Sequence, residues 1–251
     1  MRPLAKRLAR RAATAAGMHD VVRAYEQARQ PWMRQRDRQD MQNLAVLLGF
    51  WLRPDASCID IGAHSGDVLK ELVDRAPEGR HLAFEPLPDM ARGLRERFPQ
   101  VEVHEVALAD RTGTDTFTWV PEAPAYSGFR RQWYPEPMAT SELTVQVARL
   151  DDVLPEDFAP RLVKIDVEGA EGQVLAGAAQ TLARHRPIVV LEHFEGGASA
   201  YGLDSGAIHQ ALVVDAGLTL RDIDGHGPYD ADELRAVVAT RRMWTFVATP
   251  D

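Results

Sequence analysis

Ser57-Cys-Ile-Asp-Ile-Gly62-Ala-His-Ser-Gly66, with the helical stretch 67–76 behind it, decides how the rest of the chain is read. A short apolar run ends in an acid, passes through a glycine-rich turn and enters a helix. The same unit recurs downstream. Residues 81–85 form a second strand, 88–98 a helix opened by proline, and 101–108 a third strand. Residues 162–166, helical 169–184 and 188–192 repeat it. A helix near 204–216 and strands near 218–222 and 243–248 follow. Strand–helix alternation at this spacing predicts a parallel sheet covered on both faces. Right-handed crossovers make it a doubly wound, Rossmann-like α/β domain.

One stretch breaks the alternation. Residues 120–142 contain Pro121, Pro124, Pro135 and Pro137 among Tyr126, Phe129, Trp133 and Tyr134, with Arg130 and Arg131 between them. A loop of this length inside a compact domain is usually functional, and its aromatics argue against disorder. It reads as a lid or acceptor-binding loop, flanked by a hairpin of residues 114–120 and 143–148.

Composition narrows the classes. The chain has 251 residues, 45% hydrophobic and 26% charged, as in ordinary soluble domains. The longest apolar run, 44–52, is nine residues, far short of the ~20 a membrane helix needs. The single cysteine, Cys58, excludes an internal disulfide framework and a cysteine-built zinc site. The net charge of −8 disfavours nucleic acid as a partner. That charge is split. Residues 1–42 carry ten Lys+Arg against four Asp+Glu, or +6, and the remainder carries 19 against 33, or −14.

The basic start reads as helix, with Leu4, Leu8, Ala12 and Ala15 roughly on one face, and a second, more apolar helix covers 41–51. No apolar core follows the charged start, so the expectation is a cytoplasmic protein without a secretory signal. A helical extension over 1–50 is expected ahead of a catalytic domain over 51–251. Its favoured role is packing on its own domain or on a partner copy as a homo-oligomer. A peripheral membrane contact or a transit peptide is the alternative.

Four segments carry chemistry. In the turn after the first strand, Gly62 and Gly66 permit a tight bend and close ligand approach. The spacing is not the G-x-G-x-x-G of a dinucleotide site, so a ligand without a diphosphate fits better and an oxidoreductase is disfavoured. Glu85, in Phe84-Glu85-Pro86, ends the second strand, where an acid can accept hydrogen bonds from ribose hydroxyls. Lys164-Ile-Asp166-Val-Glu168-Gly169-Ala-Glu171 ends the fourth strand. Asp166 and Glu168 share a direction if the strand runs that far, while Glu171 reads as a partner of Lys or Arg on a solvated face. Leu191-Glu192-His193 ends the fifth.

These segments, together with Ala83-Phe84-Glu85-Pro86, Ala107-Leu108-Ala109-Asp110 and Leu150-Asp151-Asp152, resemble the FkbM family of S-adenosylmethionine-dependent methyltransferases. The resemblance runs from about residue 56 to 248, and the Lys164–Glu171 run is its most specific part. His64 departs from it, since the family usually has asparagine there. The resemblance implies a seven-stranded sheet whose last strand is antiparallel. It implies that Asp60, Gly62, Ala63, His64 and Gly66 surround the methionine part of S-adenosylmethionine, that Glu85 holds the ribose, and that Ala109 and Asp110 sit near the adenine. The aromatic loop, Tyr201 and the Glu192–His193 end would face the acceptor.

The reaction expected is O-methylation of a hydroxyl on a small molecule or glycan, with a sugar, glycoside or secondary metabolite as acceptor. Its proton must leave. Glu168 or His193 is the candidate general base, beside Asp166. The other route is a divalent cation, Mg²⁺ or Mn²⁺, on Asp166, Glu192 and His193, by positional analogy with metal-dependent sugar O-methyltransferases of the macrocin type. The alternative function is a catalytically inactive, S-adenosylmethionine-binding interaction subunit.

Overall fold

The computed structural model describes residues 31–121, 127–129, 139–194 and 204–250. Helix α1 (Pro31–Trp51) is followed by β1 (Cys58–Ile61), α2 (Asp67–Arg75), β2 (His81–Phe84), α3 (Pro88–Arg97) and β3 (Glu102–His104). Then come β4 (Ala107–Leu108), β5 (Gly113–Trp119), β6 (Ser141–Ala148), the short α4 (Leu150–Val153) and β7 (Leu162–Ile165). Helices α5 (Glu171–Gly177) and α6 (Ala179–His185) lead to β8 (Ile188–Glu192). Helix α7 (Ser205–His209) runs on into a π-helical turn (Gln210–Asp215) before β9 (Thr219–Asp222), α8 (Ala231–Ala239) and β10 (Thr245–Thr249).

Seven strands form the main sheet in the order β3-β2-β1-β7-β8-β10-β9. The pairs β2–β3, β1–β2, β1–β7 and β7–β8 are parallel, whereas β10 is antiparallel to both β8 and β9. This is the expected doubly wound sheet with its last strand reversed. Strands β1, β2 and β7 are buried at every position, as strands covered on both faces must be. Order reverses between β1 and β7, which is where such sheets open a crevice at the carboxyl ends of their strands.

Three local expectations are corrected. Residues 101–108 are not one strand: β3 pairs with β2, and after Glu105 the chain crosses to a three-stranded sheet in which β4 pairs with β6 and β6 with β5. Apolar periodicity continues through the crossing and so conceals it. The helix over 169–184 is two helices, broken at Gly177–Ala178 where Gly177 packs on the backbone of Ala109. Helix α8 was not anticipated, although its start carries a capping box. Asp230 accepts the N–H groups of Asp232 and Glu233, and Glu233 accepts that of Asp230.

The helix expected over 41–51 is also longer than that. Helix α1 starts at Pro31, ten residues before the expected 41, and runs through the boundary placed at residue 50. Leu44 and Leu48 are buried in the main core, and Asp40 is buried where it accepts the Thr245 hydroxyl at 2.8 Å. Arg36 pairs with Asp40 and with Asp224 (2.6 Å), and Asn43 donates to Asp224 at 2.8 Å. Part of α1 thus packs on the core of the α/β sheet. The expectations for residues 1–30 lie outside the described residues. Among the described residues, no helix is long and apolar enough to cross a membrane.

Candidate active site

The site grows from the turn after β1. The N–H groups of Gly62 and Ala63 both donate to the Phe84 carbonyl, at 2.9 and 3.2 Å, clipping the turn to β2. Gly62 has φ +75°, and a methyl group there would overlap the carbonyl oxygen of Asp166. Only glycine lets the β1 and β7 turns lie this close. Gly66, at φ +79°, is pressed against Phe98 and Leu94. It is buried and faces those side chains; Ala63, His64 and Ser65 line a cavity of about 240 Å³ at the strand ends.

Glu85 borders that cavity and is almost fully buried. One carboxylate oxygen accepts the His64 N–H and the other the Leu87 N–H, both at 2.9 Å. A carboxylate offers about four acceptor positions, so roughly two stay available to donors inside the cavity. Burial pushes the Glu85 carboxyl above its ordinary value, and the two N–H donors act against that shift.

The opposite wall is the turn after β7. Strand β7 stops at Ile165, so Asp166 and Glu168 do not share a face through strand alternation. They reach the same cavity because the turn bends back, with Glu168 in the left-handed region at φ +56°. Glu171 is the unforeseen organiser of this bend. It is 2% exposed rather than on a solvated face, and it accepts the N–H of Gly169 at 2.8 Å and of Val167 at 3.4 Å.

Beneath both turns lies Lys164, which also borders the cavity. Its ammonium is 3.4 Å from Asp60 Oδ1 and 3.3 Å from Asp166 Oδ2, and it donates to the Gly62 carbonyl at 3.1 Å. Burial alone would lower its pKa. The charges of Asp60, Asp166 and Glu192 outweigh that and hold it above its ordinary value. Asp60 is fully buried, does not line the cavity, and is raised by burial against the pull of Lys164. The signal available in the sequence was a lysine, one of three in the chain, in the middle of an apolar strand.

Much of the remaining cavity wall is apolar, with Asp67 and Ser127 as polar exceptions. Leu87, Val106 and Leu108 face Phe117 of β5 and Phe129, whose rings meet edge to face at 5.4 Å. Phe129 is brought there by a bridge between Thr118 and Gly128 that extends the hairpin. Of the aromatic loop, this part is wall. Tyr126, Arg130, Arg131, Trp133, Tyr134 and Tyr201 lie outside the described residues.

Other candidates fall elsewhere. Ala109 is buried, with its N–H on the Ala148 carbonyl, and Asp110 is exposed and paired with Arg111. Neither lines the cavity. His193 is 1% exposed, its Nε2 is 3.1 Å from the Ser205 hydroxyl, and it is not a cavity residue. The expected trio of Asp166, Glu192 and His193 does not assemble. Glu192 is coupled electrostatically to Asp166, whereas the His193 ring is directed at Ser205. Among the described residues, no group of three or more His, Cys, Asp or Glu side chains is placed to hold a metal ion.

Glu192 remains electrostatically tied to the site. Burial first, then the charges of Asp166 and Glu168, raise it well above the usual carboxylate value, and Asp37 of α1 adds to the effect. Helix α1 stands at this end of the sheet. Trp32 lies eight residues before Asp40, or about 12 Å along the helix. Its ring meets Trp244 at 6.1 Å, and Phe194 stacks on the same Trp244 at 5.6 Å. Trp32 and Phe194 are 49% and 37% exposed, which makes an aromatic rim beside β8.

The arrangement is a buried carboxylate at Glu85, an apolar slot beside it, and carboxylates at the far wall. The family model described as the methyltransferase FkbM domain matches residues 60–217. The AMB antimetabolite synthetase AmbE of Pseudomonas aeruginosa is 31% identical over 58% of this chain and 9% of its own length. The 2-O-methyltransferase NoeI of Sinorhizobium fredii is 27% identical over 53% of this chain and 62% of its own. The 31-O-demethyl-FK506 methyltransferase FkbM of Streptomyces tacrolimicus is 29% identical over 60% and 70%. The chain thus spans less than two thirds of the first two.

Proposed function

The chain belongs to the FkbM methyltransferase domain family, and on that premise we propose that it is an S-adenosylmethionine-dependent O-methyltransferase acting on a hydroxyl of a small molecule, with sugars and glycosides as the favoured acceptors. The observation that carries the proposal is the cavity itself, in which the buried Glu85 carboxylate faces the Asp166–Glu168 turn across an apolar slot. Bound S-adenosylmethionine supplies a methyl group on a positively charged sulfur.

The chain's own residues would do the rest. The Ala63–Ser65 backbone and Asp166 border the amino-acid end, Glu85 accepts the ribose hydroxyls, and Leu87, Leu108, Phe117 and Phe129 enclose the base. An anionic wall favours a cationic ligand over its neutral product and so aids release after transfer. Positioning accounts for much of the rate, because an in-line displacement needs the hydroxyl held at near-attack distance. The acceptor's proton must also go somewhere. Asp166 is committed to Lys164, Glu192 does not line the cavity, and His193 is buried against Ser205. Glu168 lines the cavity, so it is assigned as the general base. The aromatic rim of Trp32 and Phe194 suits the apolar face of a sugar ring, and two of the relatives bear names of O-methyl transfer.

The test is separate titration of S-adenosylmethionine and NAD(P), followed by incubation with methyl-labelled S-adenosylmethionine and a panel of sugars and glycosides. Binding of the first alone, with label transferred to an acceptor, is expected. Binding without transfer to any acceptor would favour the inactive interaction subunit.

A further inference from the structure

We propose that Lys164 is a positioning residue for the ligand-binding turn: its buried ammonium fixes the Gly62 peptide and Asp166 relative to each other, and so holds the backbone of residues 62–66 in its binding shape. The inference rests on the cofactor reading above and deepens it. Three observations support it. First, Lys164 is 7% exposed and has three partners at once: Gly62 O at 3.1 Å, Asp166 at 3.3 Å and Asp60 at 3.4 Å. An ammonium has three donors, and these positions account for all of them. Second, the peptide joining Gly62 to Ala63 is held at both ends, its N–H (of Ala63) by Phe84 O at 3.2 Å and its C=O (of Gly62) by Lys164 at 3.1 Å. A peptide gripped on both sides cannot flip, and the three residues after it line the cavity. Third, the two turns that Lys164 joins touch backbone to backbone, with Asp166 N on Ile61 O at 3.0 Å and Gly62 packed on the Asp166 carbonyl. A shift in one turn is passed to the other.

Asp60 has the complementary part. It sits one residue inside β1, fully buried, with the Lys164 ammonium as its charge partner and the Leu69 backbone N–H directed at it. It offsets the cost of burying a lysine without touching the ligand space. Charge neutralisation and turn positioning are therefore separable, which makes the proposal testable.

The experiment compares wild type, Asp60→Asn, and Asp60→Asn combined with Lys164→Met. The double substitution removes both buried charges together, so no lone ion is left in the core. S-adenosylhomocysteine affinity is measured by calorimetry, and backbone hydrogen–deuterium exchange over residues 58–68 is followed without ligand. Positioning predicts that Asp60→Asn stays within about threefold of wild type, and that the double variant melts cooperatively yet binds roughly tenfold more weakly, the worth of one charge-assisted hydrogen bond. Exchange over 58–68 rises only in the double variant. Equal affinity and equal exchange in the two variants would mean that Lys164 only neutralises Asp60, and would overturn the proposal. A double variant that fails to fold would overturn it too, since Lys164 would then serve the fold and not the turn. Absence of binding by wild type would instead strike at the cofactor reading, while the ligand-free exchange comparison would still decide the role of Lys164.

Discussion

Replacing Glu85 by glutamine tests the site at the most buried carboxylate that lines the cavity. In the native protein both oxygens accept a backbone N–H at 2.9 Å, from His64 and Leu87. Glutamine keeps one oxygen and sets an NH₂ group against one of those donors. A buried N–H left without an acceptor costs about 1–3 kcal/mol. Against this, the variant no longer buries a charge, the effect that raises the Glu85 carboxyl in the native protein. The two terms oppose each other, so the variant is expected to fold with a modest change in Tm. Ligand affinity has no such compensation. Hydrogen bonds to a charged acceptor contribute about 1.5–3 kcal/mol and neutral ones about 0.5–1.5. Two ribose hydroxyls would together lose roughly 2–3 kcal/mol, or about 30- to 150-fold in Kd. Calorimetric titration of S-adenosylhomocysteine into wild type and Glu85→Gln at pH 8 measures this. Repeating it toward pH 5 adds a second reading. Because the native carboxyl lies above its ordinary value, wild-type affinity should weaken as pH falls through it, whereas the glutamine variant stays flat. A folded Glu85→Gln that binds within threefold of wild type would refute the assignment.

Other expectations follow from the same geometry. Glu168→Gln should abolish methyl transfer while S-adenosylhomocysteine affinity stays near wild type; turnover at the wild-type rate would sink its role as base. Gly62→Ala should lose both stability and binding, since a left-handed alanine costs about 1–2 kcal/mol before the overlap with Asp166 is counted; thermal melts indistinguishable from wild type would contradict the close approach. Glu192 has a folded-state pKa raised by burial and by Asp166 and Glu168, so its stabilisation is complete below the unfolded value of about 4.3 and is lost as pH rises through the folded one. Glu192→Gln should therefore match wild type in Tm at low pH and exceed it at pH 8, and a wild type that is equally stable at both would count against the shift. EDTA is expected to leave methyl transfer unchanged, because the described carboxylates and histidines do not converge on one point; loss of activity restored by Mg²⁺ or Mn²⁺ would reinstate the metal route.

Much of the fold was open to reading in sequence. Fully buried strands such as 58–61 and 162–165 are continuous apolar runs, and glycine turns and proline helix starts mark their ends. The alternation predicts a parallel, doubly wound sheet, the family resemblance implies its reversed last strand, and the chain adopts both. The positions of Gly62, Glu85, Asp166 and Glu168 at strand ends were legible for the same reason: where a strand ends, the next residues face the crevice.

What the sequence by itself determined is thus the alternation, the strand ends and the acids placed on them. Only the tertiary structure decided which of those acids meet. A strand end specifies height in the sheet, but the direction of a side chain past that end depends on turn dihedrals and on neighbours distant in sequence. Glu168 reaches the cavity through a left-handed residue held by buried Glu171, and His193 is turned away toward Ser205. Lys164 meets Asp60, more than a hundred residues earlier, because β1 and β7 are paired with those two residues in register. Likewise α1 meets the sheet through Asp40 and Thr245, 205 positions apart. Local spacing is silent about such pairings, since they arise when the sheet closes and leave no periodicity in the chain.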